Sequence, residues 1–400
     1  MSADSDTLRN QAGPLAGIRV LDLSSYVAGP YACSLLADLG AEVIKIEPPG
    51  GDALRQYPST LDAESRAFVG TNRSKRGLAL DLKQAEGLAV FLRLAQSADV
   101  MVHNFRPSVP VRLGIDYDRL REANPRLIYC ALTGYGETGP MKDKAGYDQV
   151  LQCFTGIATF QGAAGGRPEI VLGSVVDFYA ASLLAYGVSA ALFQRERTGE
   201  GQYVGLSLLG AALAMQSGRF VQAEGEPDGV DRDLRSGGIT GIHPTSAGEI
   251  YLSANTPHFW RALCTLIGLP DLAIDTRYDS VRKRAKAADE IVPVIRKALN
   301  AHTALEWEAI FGEQVPCCAV RSIEEMFSHP QVVEQGLVAE MGHSTVGRYS
   351  GLRQPLKFSG ASGAEPFEAP ALGQHTAEIL ADAGYSAEEI ETLRRSGAIS

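Results

Sequence analysis

The feature that most constrains the fold is a regular alternation of short apolar segments near the start of the sequence. Residues 18–23 (IRVLDL) and 42–46 (EVIKI) are rich in Ile, Val and Leu and predict two strands. Residues 30–39 lie between them and predict a helix with proline in its first turn. Strand, helix and strand with short connections predict a parallel sheet and an α/β fold.

The same opening raises the question of a dinucleotide site. Glu47 follows the second predicted strand, as an acidic residue does in many NAD-binding domains. The loop after the first strand reads SSYVAGP, however, and offers one glycine where a dinucleotide turn needs three. The sequence therefore does not favour an NAD-dependent enzyme.

Length and charge narrow the class of protein. With 400 residues the chain is expected to form two domains, and its net charge of −10 argues against nucleic-acid binding. We find neither a signal peptide nor an apolar run of the about 18 residues that span a membrane, so we expect a cytoplasmic protein without membrane contacts. The six cysteines are scattered or adjacent, without a spacing typical of metal sites. No metal is predicted.

Residues 173–207 contain the most suggestive acidic residue. A short β-type run at 174–176 ends at Asp177, and a long segment follows that is apolar on nearly all sides, which predicts a buried helix. An aspartate before such a helix is ordinarily an N-cap. A carboxylate held at the mouth of a buried element can also act as a nucleophile. Both roles are compatible with the sequence.

Residues 71–112 carry a net positive charge, with seven cations against three anions, although the chain as a whole is negative. The motif NFRP follows the strand predicted at 100–103, at the end where parallel sheets bind ligands. This region is either a site for a small polyanion or a solvated basic face.

The composition changes again at residues 222–238, which are charged and poor in large apolar groups. We therefore predict a large domain from residues 1–222, a small α+β domain from 223–328 and a return to the large domain from 329–400. Within the small domain, a hairpin is expected around Gly248.

Several motifs occur in an order that resembles one known family, and they cover almost the whole chain: LAGIRVLDLSSYVAGP, NRSKRGLALDLK, ADVMVHNFRP, GYGETGP with GYD, RERTGEGQYV and LGQHTAEILADAGYS. The chain resembles the class III CoA-transferases, which include formyl-CoA:oxalate and carnitine CoA-transferases and are related to 2-methylacyl-CoA racemases. The resemblance implies a Rossmann-like large domain from both chain ends, a small middle domain and an interlocked homodimer.

The resemblance also implies the chemistry. Asp177 matches the family's nucleophile, which forms an anhydride and then an aspartyl-CoA thioester. The substrates would be an acyl-CoA, with succinyl-CoA as a candidate donor, and a small carboxylic or dicarboxylic acid, with no tightly bound cofactor. Gly237 and Gly238 match a glycine loop that covers the site in relatives, although the glycine run is shorter here. Arg219 and Arg235 are candidates to pair with a second substrate carboxylate.

Further positions match the family's CoA contacts. They are Tyr26, Val27, Ala28, Leu80, Asp81, Leu82, Lys83, Asn104, Phe105, Arg106, Arg112, Ala145, Gly146, Tyr147 and Asp148. By the same resemblance, Lys83, Arg106 and Arg112 would meet the phosphates of CoA. Several relatives have arginine after the acidic residue of the second strand, where this chain has Pro48, so adenine binding is expected to differ.

Two alternatives stay open. The racemases pair a histidine with the aspartate that corresponds to Asp148, but this chain has no histidine between His103 and His243 and has Tyr147 before that aspartate. Both observations favour the transferase. A catalytically silent CoA-binding protein is the other alternative, and the presence of Asp177 argues against it.

Overall fold

The computed structural model describes residues 13–61, 64–161, 166–227, 239–361 and 364–400. The chain divides into two compact units. Unit 1 comprises residues 1–162, 167–221 and 330–400, and unit 2 comprises 163–166 and 222–329. The domain boundaries given from the sequence stay a prediction.

Unit 1 is built on a six-stranded parallel sheet with the order β3-β2-β1-β4-β5-β6. This is the strand order of dinucleotide-binding domains, so the predicted Rossmann-like α/β architecture of the sheet is confirmed. The strands are β1 (Arg19–Asp22), β2 (Glu42–Glu47), β3 (Arg76–Ala79), β4 (Val100–His103), β5 (Ile128–Thr133) and β6 (Tyr203–Ser207).

Helices cover both faces of the sheet. Those before residue 222 are α1 (Ala28–Asp38), α2 (Arg66–Thr71), α3 (Ala85–Ala95), α4 (Ser108–Leu113), α5 (Tyr117–Ala123), α6 (Asp148–Phe154), α7 (Val175–Thr198) and α8 (Leu208–Ala214), with short 3₁₀ turns at Ala53–Gln56 and Ile157–Phe160. Apolar residues of α1, α7 and α8 form the core on one face, and α3 with two later helices forms it on the other.

Unit 2 is a small α+β unit, as the sequence predicts. An antiparallel sheet of β7 (Gly241–Pro244), β8 (Glu249–Leu252) and β9 (Cys317–Ala319) includes the hairpin expected at Gly248. Its helices are α9 (Pro257–Leu266), α10 (Pro270–Ile274), α11 (Val281–Lys286), α12 (Ala288–Leu299), α13 (Ala304–Phe311) and α14 (Ile323–Met326). Their apolar sides enclose a core that contains Trp260, Trp307 and Phe311.

Residues 330–400 return to unit 1. They form α15 (Pro330–Glu334), a hairpin of β10 (Val338–His343) and β11 (Gly347–Leu352), α16 (Thr376–Asp382) and α17 (Ala387–Ser396). A capping box begins α17: the backbone N–H of Ser386 donates to the carboxylate of Glu389, and the backbone N–H of Glu389 donates to the hydroxyl of Ser386. Ile399 then forms a β-bridge with Leu80, just beyond β3.

Two predictions about helix α7 were wrong. Residues 174–176 are not a strand, because the helix already begins at Val175 after Ser174, whose φ of 59° places it in the left-handed region. The helix is also not buried on all sides: Tyr186 is 72% exposed and Phe193 is 67% exposed.

By length and composition α7 could also span a membrane, contrary to the prediction that no segment could. Its inner side nevertheless packs in the core of unit 1. Val176, Ala180, Leu184 and Val188 are buried there, and α7 contacts α1, β5 and β6. A core helix meets the same criteria of length and composition, and this packing accounts for the apolar inner side of α7.

Candidate active site

A cavity of about 170 Å³ opens at the carboxyl ends of β1, β4 and β5 in unit 1. Strands β1 and β4 are neighbours, and the strand order reverses between them, which is where open α/β sheets bind ligands. Predicted site residues that line the cavity are Tyr26, Val27, Ala28, Asn104, Phe105, Arg106, Ala145, Gly146, Tyr147 and Asp177.

Other predicted contacts lie elsewhere. Residues 80–83 follow β3, where Leu80 is buried and the backbone N–H of Asp81 donates to the carbonyl of Ala398. Leu82 packs in the core and Lys83 follows it, and neither they nor Arg112 on α4 line the cavity among the described residues. Gly237, Gly238 and Arg235 are outside the described residues. Arg219 is exposed and stacks on Phe160, with 4.0 Å between its guanidinium carbon and the ring centroid.

The acidic residue that caps α7 is Asp148, the first residue of α6. Its Oδ2 accepts the backbone N–H groups of Val176 at 2.6 Å and of Asp177 at 3.1 Å. Its Oδ1 accepts from Nε2 of Gln152 at 2.5 Å, and Gln152 is fixed in turn by two bonds to the backbone of Val171. Asp148 is buried, and it is absent from the cavity lining among the described residues. In this position Asp148 orders the start of α7, and its predicted contact with CoA stays a prediction.

Asp177 does not act as the cap that its position suggested. It is the third residue of α7, and we find no hydrogen bond to its carboxylate from any described residue. Burial, with the nearby charge of Asp148 as the second cause, raises the pKa of Asp177 to about 7. Asp177 lines the cavity, so the ligand site includes a carboxylate with a raised pKa to which no described residue donates a hydrogen bond.

Three of the seven cations in residues 71–112 form ion pairs in the fold. Arg73 pairs with Asp38, Lys75 pairs with Asp22, and Arg76 pairs with Glu42 and Asp382. Of the seven cations counted there, Arg106 is the one that lines the cavity.

Two cations that the sequence reasoning missed also line the cavity. Lys142 and Lys144 lie in the loop after β5, beside the predicted GYD motif. Their position in a glycine-rich loop at a strand's carboxyl end was the available signal. Thr133, Gly134 and Leu208 are further lining residues that the sequence did not single out.

Glu47 has a structural role. Both of its carboxylate oxygens accept from Arg55, at 2.8 and 2.7 Å, and it also accepts the backbone N–H of Asp52. Arg55 stacks on Phe68, with 3.7 Å between its guanidinium carbon and the ring centroid. Glu47 is therefore fully engaged, in agreement with the sequence argument against a dinucleotide site.

No histidine lines the cavity among the described residues. His103 ends β4 but is buried and stacked on Phe105, and burial lowers its pKa to about 4. The cavity thus has acidic and basic side chains but lacks the histidine of a two-base racemase within the described part of the chain.

Comparison with known proteins decides the family. Residues 15–376 match the profile of CoA-transferase family III. The chain belongs to CoA-transferase family III.

The similarity to relatives extends over nearly the full length of both this chain and each relative. The chain is 33% identical to succinyl-CoA:glutarate CoA-transferase of Mus musculus, over 99% of this chain and 92% of the relative. It is 34% identical to succinate–glutarate CoA-transferase of Agrobacterium fabrum, over 97% and 98%. The crystal structure of a CaiB/BaiF family protein of Brucella suis is similar with a TM-score of 0.82 and 28% identity, covering 93% of this chain and 100% of that one.

The family membership confirms the resemblance seen in the sequence. As a class III CoA-transferase, the protein is an enzyme that transfers CoA, and its family uses CoA thioesters as substrates. The cavity at the end of the sheet is the candidate site for that reaction.

Proposed function

We propose that the protein transfers CoA from an acyl-CoA to a small dicarboxylic acid through a covalent intermediate on Asp177. The observation that carries this proposal is the state of the Asp177 carboxylate, which lines the cavity, lacks a hydrogen-bond partner among the described residues and has a pKa raised to about 7. A more basic carboxylate is a stronger nucleophile, and a pKa near neutral keeps a large ionised fraction at pH 7.

In the proposed reaction CoA passes from one acid to another, so that one acyl group on CoA is replaced by a second. An oxygen of Asp177 attacks the thioester carbonyl carbon, and the C–S bond breaks to give a mixed anhydride and CoA thiolate. The thiolate attacks the aspartyl carbonyl carbon, which releases the first acid as its carboxylate and leaves an aspartyl-CoA thioester. The acceptor carboxylate attacks the aspartyl carbonyl carbon, and the C–S bond breaks to give a second mixed anhydride and CoA thiolate. The thiolate then attacks the acceptor's carbonyl carbon in that anhydride, which gives the new acyl-CoA and releases Asp177 as its carboxylate.

The cations at the cavity suit these substrates. Arg106, Lys142 and Lys144 can meet the phosphates of CoA or the carboxylates of the acids. Since two relatives are named for succinyl-CoA or succinate and glutarate, we propose succinyl-CoA as the donor and glutarate or a similar dicarboxylate as the acceptor.

The racemase alternative finds no support in this cavity, and the silent CoA-binding protein conflicts with the family's activity. We retain the transferase as the one proposed function.

We also propose a homodimer. The outer side of α7 exposes Tyr186 and Phe193, and Phe178 is 37% exposed on the same helix. Large apolar side chains concentrated on one core helix are typical of an interface rather than of a solvated surface. Light scattering of the protein and of the Phe193→Glu variant tests this, since the variant is expected to shift toward monomer.

Mass spectrometry of the protein incubated with succinyl-CoA tests the covalent route. We expect a CoA adduct on the peptide that contains Asp177, converted by hydroxylamine to the Asp177 hydroxamate. The Asp177→Asn variant is the matched control and should carry no adduct. An unmodified Asp177, together with deuterium uptake from heavy water into a 2-methylacyl-CoA, would move the chemistry to Asp148.

A further inference from the structure

The loop between β1 and α1 has an unusual backbone conformation. Tyr26 has a φ of 64°, which is uncommon for a residue other than glycine and strained for one with a bulky side chain. Its neighbours Ser25, Val27 and Ala28 line the cavity together with Tyr26 itself. The surrounding structure must therefore hold this loop in place.

A carboxylate from a neighbouring strand connection contacts the strained residue. Oδ1 of Asp52 accepts the backbone N–H of Tyr26 at 3.2 Å and that of Leu54 at 3.0 Å. Asp52 follows β2, is 3% exposed and is not among the residues that line the cavity.

A buried lysine joins that carboxylate to the same loop. Nζ of Lys45, in β2, donates to Oδ2 of Asp52 at 3.0 Å and to the carbonyl oxygen of Ser24. The side chain of Lys45 is 0% exposed, so its charge depends on these partners and on the acids around it. One ion pair thus holds the loop at Ser24 and at Tyr26.

On the other side, the amide of Asn104 exchanges two hydrogen bonds with the backbone of Ser25, at 3.0 and 2.7 Å. Asn104 lines the cavity and was predicted from the sequence as a CoA contact, whereas Lys45 and Asp52 were not predicted to have any role. The loop is therefore clamped from β4 as well as from β2.

We infer that Lys45 and Asp52 are positioning residues that hold the Ser24–Tyr26 backbone in the conformation that receives CoA. They act through the loop, because they lie beneath it. The inference rests on the proposed function of this cavity, since it assumes that CoA is bound there.

The test is CoA binding by calorimetry, which does not depend on turnover. Asp52→Ala should weaken CoA binding by about tenfold or more, because hydrogen bonds to a charged group are lost and the strained loop is released. Asp38→Ala is the matched control: Asp38 is equally buried and forms an ion pair with Arg73, but we find no contact from it to the loop among the described residues. It should lower the melting temperature without changing CoA affinity beyond about twofold.

The Tyr26→Gly variant tests whether the effect of Asp52→Ala on CoA binding comes from the strained backbone at residue 26. Glycine adopts positive φ without strain, so in Tyr26→Gly protein the added effect of Asp52→Ala should shrink to less than about threefold. If Asp52→Ala does not fold, Asp52→Asn in both backgrounds gives the same comparison with a smaller effect.

The outcomes separate the two proposals. Wild-type protein that does not bind CoA overturns the proposed function and this inference with it. If the wild-type protein binds CoA and Asp52→Ala weakens that binding no more than Asp38→Ala does, only the inference is overturned. An undiminished effect of the Asp52 substitution in the Tyr26→Gly background also contradicts it.

Discussion

Oδ2 of Asp148 accepts a hydrogen bond from the backbone N–H of Asp177, with 3.1 Å between the oxygen and the nitrogen. The two acids thus meet at one end of α7, and the backbone N–H groups of that end bind the Asp148 carboxylate. Burial is the larger cause of the raised pKa of Asp177, and the nearby charge of Asp148 is the second cause.

Replacing Asp148 by Asn should move the acidic limb of the pH–rate profile. Without the negative charge, the pKa of Asp177 falls from about 7, so the limb of kcat/KM should shift to lower pH. The profile is measured from pH 5 to 9 for both proteins. Asp143→Asn removes an exposed carboxylate from the same loop and should leave the limb in place. An unshifted limb in Asp148→Asn would contradict the coupling.

Truncation of Asp148 should also destabilise α7. Asp148→Ala leaves the N–H groups of Val176 and Asp177 without their acceptor, and loss of a capping carboxylate typically costs about 1 kcal/mol. Urea unfolding gives the free energy of unfolding. Asp148→Asn keeps an acceptor oxygen and should lie between Asp148→Ala and the wild type.

Asp177→Asn should stabilise the fold at neutral pH. Because the pKa of Asp177 is raised in the folded state, the folded protein binds the proton more tightly than the unfolded chain. Wild-type stability should therefore fall relative to Asp177→Asn as pH rises from about 4 to 7, and the difference should stay constant above that range. We expect about 2 kcal/mol, reduced from the full shift because the carboxylate is partly exposed.

Denaturant titrations of both proteins at pH 4, 6 and 8 measure that difference. A variant less stable than the wild type at pH 8 would show that the Asp177 carboxylate has a stabilising partner.

Two glycines hold the cavity loops at close approach. A Cβ on Gly134 would lie 2.8 Å from the Cα of Gly146, and a Cβ on Gly146 would lie 2.6 Å from the Cα of Gly134. Both line the cavity, so Gly146→Ala should separate the loops and reduce kcat/KM by about tenfold or more. A Cβ on Gly50 meets no atom within 4 Å, and Gly50→Ala should have full activity.

The lysines of the same loop should contribute salt-dependent binding. Lys142 and Lys144 are exposed cations at the cavity, so Lys144→Gln should raise KM for acyl-CoA several-fold at low ionic strength and much less at about 1 M salt, where charges are screened within about 3 Å. Lys83→Gln is the informative control. The family resemblance assigns Lys83 to CoA, whereas the cavity in unit 1 does not include it, and we expect no change in KM.

The sheet could be predicted from the sequence because its strands carry a local signal. The apolar segments at 18–23 and 42–46 identify β1 and β2 to within a residue or two. Family motifs then identify the loop residues at the cavity, such as Tyr26 and Asn104.

What could not be predicted depends on contacts between distant residues. The start of α7 depends on Asp148, which lies 28 positions before Val176 and supplies the cap. From the sequence, the basic region around Arg73 could be a ligand site. Its acidic partner Asp38 lies 35 positions away, so the sequence pattern does not show that the two residues pair. A local pattern shows charge, but it does not show which charges meet in the fold.

The closing contact of unit 1 has a consequence for biosynthesis. The side chain of Gln84 donates to the carbonyl of Gly397 across 313 positions, and Ile399 bridges Leu80 beside the edge strand. A ribosome adds about 5–20 residues per second, so the early strands wait many seconds for the segment that covers them. Throughout that interval the backbone N–H and C=O groups at the edge of β3 are open to pairing with another chain, so the partly made protein is expected to be prone to aggregation.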